Sequence, residues 1–330
     1  READLTFGPS KTESLRSAAR KKIEPIMTAV DKGEKIIRQG EEVRPVHIQK
    51  LRFYQKELYR RQPPISRIYY MIGIAVLVLL MFALTIYYLE NYHRNLSRSN
   101  SRLLMISVIV IMVLLLTRFV RYLSFHLPPG TTEITRFICP VTVGSLLLCL
   151  LVGVRVAVFL TLIVGFQTAL IVGGGLGYLL SGITAALVGV FSLKGARRRI
   201  DLVRAGFFAA AAGFIIVVAL GITGGNRPQV FLSQGLGSFT GGIAGAFIAL
   251  IALGLFEAVF RVSSDIGLVE LADLNHPLLR QMMIRAPGTY HHSLMVATLA
   301  ERAAQEINAN PLLARNGGYF HDIGKLVKPE

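Results

Sequence analysis

Two short stretches near the end of the chain hold the residue types that metal chemistry requires. His291-His292 stands at the start of an amphipathic helix whose apolar positions include Leu294, Val296, Leu299 and Ile307. His321-Asp322 stands late on another expected helix, which Gly324 should end. Adjacent His and Asp offer one imidazole and one carboxylate, a mixed donor set that suits Mn or Fe as well as Zn. Antiparallel helices joined by a short turn would bring His292 beside His321 and Asp322. A His-Asp dipeptide alone is weak evidence, and a lone His is more often a hydrogen-bonded structural residue. The run HDIGK, preceded by a His that opens an apolar helix, is a sharper signal.

The elements that must carry these residues divide into a long apolar stretch and a polar remainder. Of 330 residues, 52% are hydrophobic, yet the formal net charge is +16. Mean hydropathy is +0.52. A nucleic-acid binder would interleave its cations with aromatics on a soluble domain. Here residues 69–260 are mostly apolar and the cations fall in a few clusters, the pattern of a membrane protein with basic loops.

A span needs about 20 apolar residues, and seven are expected at 69–89, 103–123, 134–152, 156–172, 176–193, 206–222 and 238–260. Only Gly173-Gly174-Gly175 separates the fourth from the fifth. Seven spans put the two ends of the bundle on opposite sides. Arg94, Arg98 and Arg102, then Arg155, then Lys194, Arg197, Arg198, Arg199 and Arg204 all fall on the side of the residues after Phe260, which makes that side cytoplasmic. The opposite loops hold only Arg227 as a firm cation. Two clusters run against the rule: Arg60, Arg61 and Arg67 before the first span, and Arg118 and Arg121 near the outer end of the second. A large translocated domain upstream excuses the first, and snorkelling or a bundle-facing position the second. Small residues recur every fourth position at Gly173, Gly177, Ser181, Ala185 and Gly189, and at Gly237, Gly241 and Gly245, as tight helix packing requires. No Asp or Glu lies within the spans before Glu257, which disfavours an ion-coupled transporter.

Residues 1–64 are polar. A helix is expected at Ser14–Ile26, a short strand at Ile36-Ile37, and a loose amphipathic helix through Val46, Leu51, Tyr54 and Leu58; Pro63-Pro64 closes the segment. Cys139 and Cys149 lie on one expected helix, about 15 Å apart along its axis, too far to bridge. With no Trp, interfacial anchoring falls to Tyr69, Tyr70, Tyr87, Tyr88 and Tyr92. The chain opens on Arg1 and stops at Glu330, one turn past the HD motif, so it reads as a fragment of a longer protein. Ser263–Leu274 reads as a connecting helix, Pro277 opens another, and Phe256–Ser264 is expected to run on from the last span without a break.

The stretch APGTYHHS followed by HDIGK resembles the first half of an HD-superfamily phosphohydrolase domain. With seven spans before it, and KGEKIIRQGEEV similar to the end of an extracellular domain, the chain resembles the seven-transmembrane HD receptor family of bacterial cyclic di-AMP phosphodiesterases. The resemblance implies a mainly α architecture. Residues 1–64 would be the end of a small α+β extracellular domain, 69–260 the seven-helix bundle, and 261–330 a connecting helix and the start of a cytoplasmic all-α HD domain. It implies a multi-pass protein of the bacterial inner membrane with its N-terminal segment outside. Carried over by position, the first metal-ligand histidine falls on His292, with His291 the alternative. His321 and Asp322 complete the motif, Asp322 bridging two divalent ions, Mn or Fe, and Lys325 meeting a substrate phosphate. A two-metal site would acidify a water and steady the oxygens of an in-line attack on the phosphodiester, giving a linear dinucleotide. The partners implied are cyclic di-AMP, membrane lipid, an unidentified extracellular ligand and a second copy in a homodimer, with no nucleic-acid polymer. Further His and Asp ligands of the family would lie beyond Glu330, so activity is expected of the parent protein. The alternative is a transmembrane receptor or scaffold whose HD domain is catalytically silent and only binds nucleotide.

Overall fold

Apolar runs of this length leave the backbone one way to satisfy its N–H and C=O groups within a single segment, and the chain takes it: among the described residues every element of regular structure is a helix. The computed structural model describes residues 9–22, 34–38, 40–61, 64–128, 131–173 and 175–327. Two compact units emerge, Arg1–Ile74 and Ala75–Glu330.

In the first unit, α1 (Pro9–Lys22) and α2 (Pro45–Arg61) are polar helices. The C-terminal end of the helix expected at Ser14–Ile26 lies outside the described residues. The expected strand at Ile36-Ile37 is absent: both residues lie in a bend. A local turn takes its place, in which the Arg38 N–H donates to the Glu41 carboxylate at 3.1 Å and the Glu41 N–H returns to the Arg38 carbonyl at 3.1 Å. No second strand exists among the described residues to pair with it, and an unpaired strand has no ladder to stabilise it.

Among the described residues, seven helical segments are long and apolar enough to cross a membrane: Ile68–Tyr92, Asn100–His126, Thr132–Leu151, Val154–Val172, Gly175–Ser192, Arg199–Thr223 and Pro228–Phe260. The first belongs to α3 (Pro64–Tyr92), followed by the short α4 (Arg94–Ser97) and then α5 (Asn100–His126). The third is broken, into α6 (Thr132–Arg136) and α7 (Val141–Leu151). Pro140 stands at the break, where its missing N–H and ring exclude a continuous helix. Cys139 therefore lies before α7 and not on one helix with Cys149; both thiols are free and buried. Next come α8 (Val154–Val172) and α9 (Gly175–Ser192). Gly173 (φ 61°) and Gly175 (φ 64°) both adopt the left-handed region, so the division between the fourth and fifth spans is a true turn. Gly173 is thus a cap, not the first member of the small-residue stripe.

The small residues do their closest packing between α10 (Arg199–Thr223) and α11 (Pro228–Phe260). A Cβ at Gly206 would overlap Ala246, and one at Gly242 would meet Ala210. Gly237 and Gly241 lie against the backbone of the broken third span, at Ile134 and at Ile138-Cys139. A large apolar cluster, with Met105, Ile109, Leu146, Leu147, Leu202 and Ala249 at 0% exposure, ties α5, α7, α10 and α11 together. Span α3 joins this bundle near its C-terminal end, where the Tyr88 ring stacks on Phe159 at 3.9 Å and its hydroxyl donates to the Arg155 carbonyl at 3.3 Å.

After the bundle come α12 (Asp265–Leu271), α13 (Pro277–Arg285), α14 (Pro287–Glu306) and α15 (Pro311–Phe320). The helix expected to run unbroken through Phe256–Ser264 stops at Phe260. Arg261 turns into the left-handed region at φ 53°. The Glu257 carboxylate then accepts hydrogen bonds from the Ser264 N–H at 2.9 Å and its Oγ–H at 2.6 Å. Ser264 in turn caps α12, its Oγ accepting from the Gly267 N–H. A carboxylate that satisfies the orphan donors of the next helix makes a corner more favourable than one long rod.

Candidate metal centre

The helices that carry the chemistry are pinned at both ends. Pro287 and Pro311 start α14 and α15 at positions where a missing N–H costs nothing, and the Asn310 side chain caps α15 by accepting from the Leu313 N–H at 3.0 Å. Between the helices Asn308 adopts φ 55°, and the Ala309 N–H returns to the Ala304 carbonyl at 2.8 Å, closing a tight antiparallel reversal. The two helices then pack on Leu279, Met282, Ala297 and Tyr319. Gly318 sets their separation, since a Cβ there would run into the Ala297 backbone. Arg315 adds a polar clamp. It donates to the Tyr319 hydroxyl at 2.8 Å and pairs with Glu301 at 3.3 Å.

This packing brings His292 of α14 beside His321, with ring centroids 5.4 Å apart. One ligand atom each from His292, His321 and Asp322 lies within 4.8 Å of the other two, the one such metal-sized group among the described residues. His291 does not join them: its ring lies edge-on to Tyr290, centroids 5.8 Å apart. His321 and Asp322 stand past the end of α15, not on it. His321 is the C-cap, and Asp322 heads a short 3-10 helix, Ile323–Leu326, which contains Gly324. The switch to tighter winding there re-aims the Asp322 carboxylate toward the imidazoles.

Hydrogen bonds prepare both ligand types. His321 Nδ1 lies 2.8 Å from the Gly318 carbonyl, which requires the proton on Nδ1 and leaves the Nε2 lone pair for a metal. Nε2 is 3.4 Å from Asp322 Oδ2. Lys325 Nζ donates to that same oxygen at 2.7 Å. This bond holds the Asp322 carboxyl below its ordinary range. The carboxylate is therefore ionised at neutral pH, the form a hard cation needs.

Three further residues on the helices that bring the site together are not evident from the HD motif. Ser293, next to His292, is 1% exposed and its Oγ has no hydrogen-bond partner among the described residues. Asn316 is buried on α15 and donates from Nδ2 to the Leu268 carbonyl at 2.7 Å, tying α15 to α12. Gly318 is the third. A polar Asn and a Gly-Gly pair inside a short apolar helix were the available signals. Two imidazoles and one ionised carboxylate fit part of the shell of a divalent ion.

Comparison with known proteins agrees with this architecture. The family described as 7TM receptor with intracellular HD hydrolase matches residues 68–264, the 7TM-HD extracellular family matches 2–56, and the HD domain family matches 289–330. The cyclic-di-AMP phosphodiesterase PgpH of Bacillus subtilis is 29% identical over 352 residues, covering 99% of this chain and 46% of the relative. PgpH of Listeria monocytogenes is 28% identical, covering 98% of this chain and 44% of the relative. A ribonuclease Y of Acholeplasma laidlawii is 41% identical over 81 residues, 22% of this chain and 14% of its own length. No solved structure matches. This chain spans just under half the length of the PgpH relatives. With most of the bundle matched end to end, the chain belongs to the family of 7TM receptors with an intracellular HD hydrolase.

Proposed function

We propose that this chain carries the membrane bundle and the first ligands of a divalent-metal phosphodiesterase that hydrolyses cyclic di-AMP to a linear dinucleotide. The observation that supports it most is the convergence of His292, His321 and Asp322 within 4.8 Å, brought together from two helices. Similarity to PgpH over 99% of the chain supports the nucleotide. His292, His321 and Asp322 are the metal-holding residues in this reading, with two ions of the Mn or Fe type. Bound divalent ions supply Lewis-acid polarisation of the phosphodiester and acidification of water. The chain's own residues do the rest. The Gly318 carbonyl holds the His321 tautomer, and Lys325, hydrogen-bonded to Asp322, offers an ammonium to a phosphate oxygen.

In hydrolysis the water oxygen forms the new bond to phosphorus, the 3′ oxygen leaves, and a proton passes to it. Residues 1–64 belong outside the cell and 261–330 in the cytoplasm, following the basic loops on the HD side. The bundle then stands between an external ligand and the site. The test is hydrolysis of cyclic di-AMP, with cyclic di-GMP as rival, by the whole gene product in detergent with Mn²⁺. Loss of activity in both His321→Ala and Asp322→Ala, with the fold intact, is expected. Wild-type protein that binds metal but cleaves neither nucleotide would overturn the reading in favour of a silent, nucleotide-binding receptor.

A further inference from the structure

Arg121, on the wrong side for a basic loop, does not point into empty lipid. At the end of the bundle remote from the HD helices, α5, α6 and the end of α8 line a half-open cavity of about 350 Å³. Arg121 and Phe125 of α5 line it, with Glu133 and Arg136 of α6. The Arg121 guanidinium lies over the Phe125 ring, 5.3 Å from its centroid. Glu133 is already engaged: Gln234 Nε2 donates to its carboxylate at 2.6 Å. Neither Arg121 nor Arg136 forms an ion pair among the described residues. The cavity thus holds two guanidinium groups against one carboxylate, a net positive charge at the mouth of a low-dielectric bundle.

Such a charge is costly without a counter-ion. Two guanidinium forks from separate helices suit a tetrahedral oxyanion, which accepts from several directions at once. The volume admits a headgroup-sized ligand; ten waters would occupy about 300 Å³. Phe125, on the cavity's edge, is 77% exposed and gives it an apolar side toward the surrounding medium. Charge at the helix ends beside apolar surface is the arrangement that a phosphate group met at the membrane interface requires.

We propose that this cavity is a binding site for a phosphate group, held by Arg121 and Arg136, supplied either by an anionic lipid headgroup or by a free phosphate. The site is independent of the hydrolytic reading, because it uses no residue of the HD helices.

The chain contains no Trp, so Phe125→Trp installs a single emission reporter that keeps an aromatic face under Arg121. The reporter chain would be placed in phosphatidylcholine nanodiscs and either titrated with inorganic phosphate or compared with discs containing phosphatidylglycerol. A saturable emission change is expected in at least one arm. It should weaken ~10-fold or more in Arg121→Gln and Arg136→Gln, and be partly restored by Lys, which keeps charge but not the fork. Arg118→Gln, exposed on the same helix outside the cavity, should leave it unchanged. A response to phosphatidylglycerol alone assigns the lipid headgroup, and a response to inorganic phosphate alone assigns the free ion. Circular dichroism establishes that each variant is folded. No response in either arm, or a response unaffected by both Gln substitutions, overturns the proposal.

Discussion

At the scale of single residues, Lys325 makes the least obvious prediction. Its ammonium lies 2.7 Å from the carboxylate oxygen that a divalent ion would also seek. Ammonium and metal compete for it, so Lys325→Met should raise Mn²⁺ affinity while lowering phosphodiester turnover. Calorimetric titration with Mn²⁺ and an activity assay on the same sample check this, and lowered metal affinity would remove the competition argument. Adjacent glycines on α15 make a second prediction, because their surroundings differ in kind. A Cβ at Gly317 meets nothing within 4 Å, whereas one at Gly318 collides with the Ala297 backbone. Gly317→Ala should stabilise the HD helices by up to ~1 kcal/mol through helix propensity. Gly318→Ala should destabilise them by about 1–3 kcal/mol through overpacking and shift His321 away from His292. Thermal unfolding of the two variants decides it, and equal effects would show that the packing distance is not set there.

At the scale of elements, α12 is the joint between bundle and site. Glu257 holds its N-terminus through Ser264, Arg199 grips Glu270 with two hydrogen bonds of 2.6 and 2.9 Å, and Asn316 binds its Leu268 carbonyl. These contacts tie α10 and α11 to α15 through α12, in place of one continuous helix. Because Arg199 and Glu270 are both about half exposed, their pair adds little stability; its role is registry. Glu270→Gln should therefore leave the unfolding midpoint nearly unchanged yet speed amide exchange in residues 265–271. Unchanged exchange would count against the joint. The pH dependence has a definite sign. The hydrogen bond from Arg199 holds the Glu270 carboxyl below its ordinary range. The contact is then at full strength above the ordinary glutamate range and is lost as pH falls through the lowered value. The protection of the α12 amides, their exchange corrected for its intrinsic base catalysis, should be flat with pH near neutrality and fall only in acid.

At the scale of the whole molecule, seven crossings place the cavity beside Arg121 and the HD helices at opposite ends of the bundle. Both native thiols are buried, so background labelling by a membrane-impermeant maleimide should be low. In intact cells Asn226→Cys should be labelled from outside, and Arg98→Cys only after permeabilisation. The reverse pattern would invert the orientation and put the phosphate site in the cytoplasm.

Much of this was legible in the residues alone. Apolar runs of span length, cations gathered at one set of loops, and HDIGK after a helix-opening His fix the number of crossings and the candidate ligands. Each is a composition or spacing constraint that the solvent imposes locally. Tertiary structure decided what depends on groups far apart in sequence. Pro140 breaks the third span, but only the close approach of Gly237 and Gly241 shows what the break accommodates. That His292 rather than His291 lies beside His321 follows from which face of α14 meets α15, and that face is set by Gly318 against Ala297. The corner at Arg261 could not be read from a helix-compatible sequence, since what favours it is Glu257 reaching Ser264 across the bend. Local propensity fixes where helices form, whereas long-range hydrogen bonds and backbone contacts decide where they stop and which atoms meet.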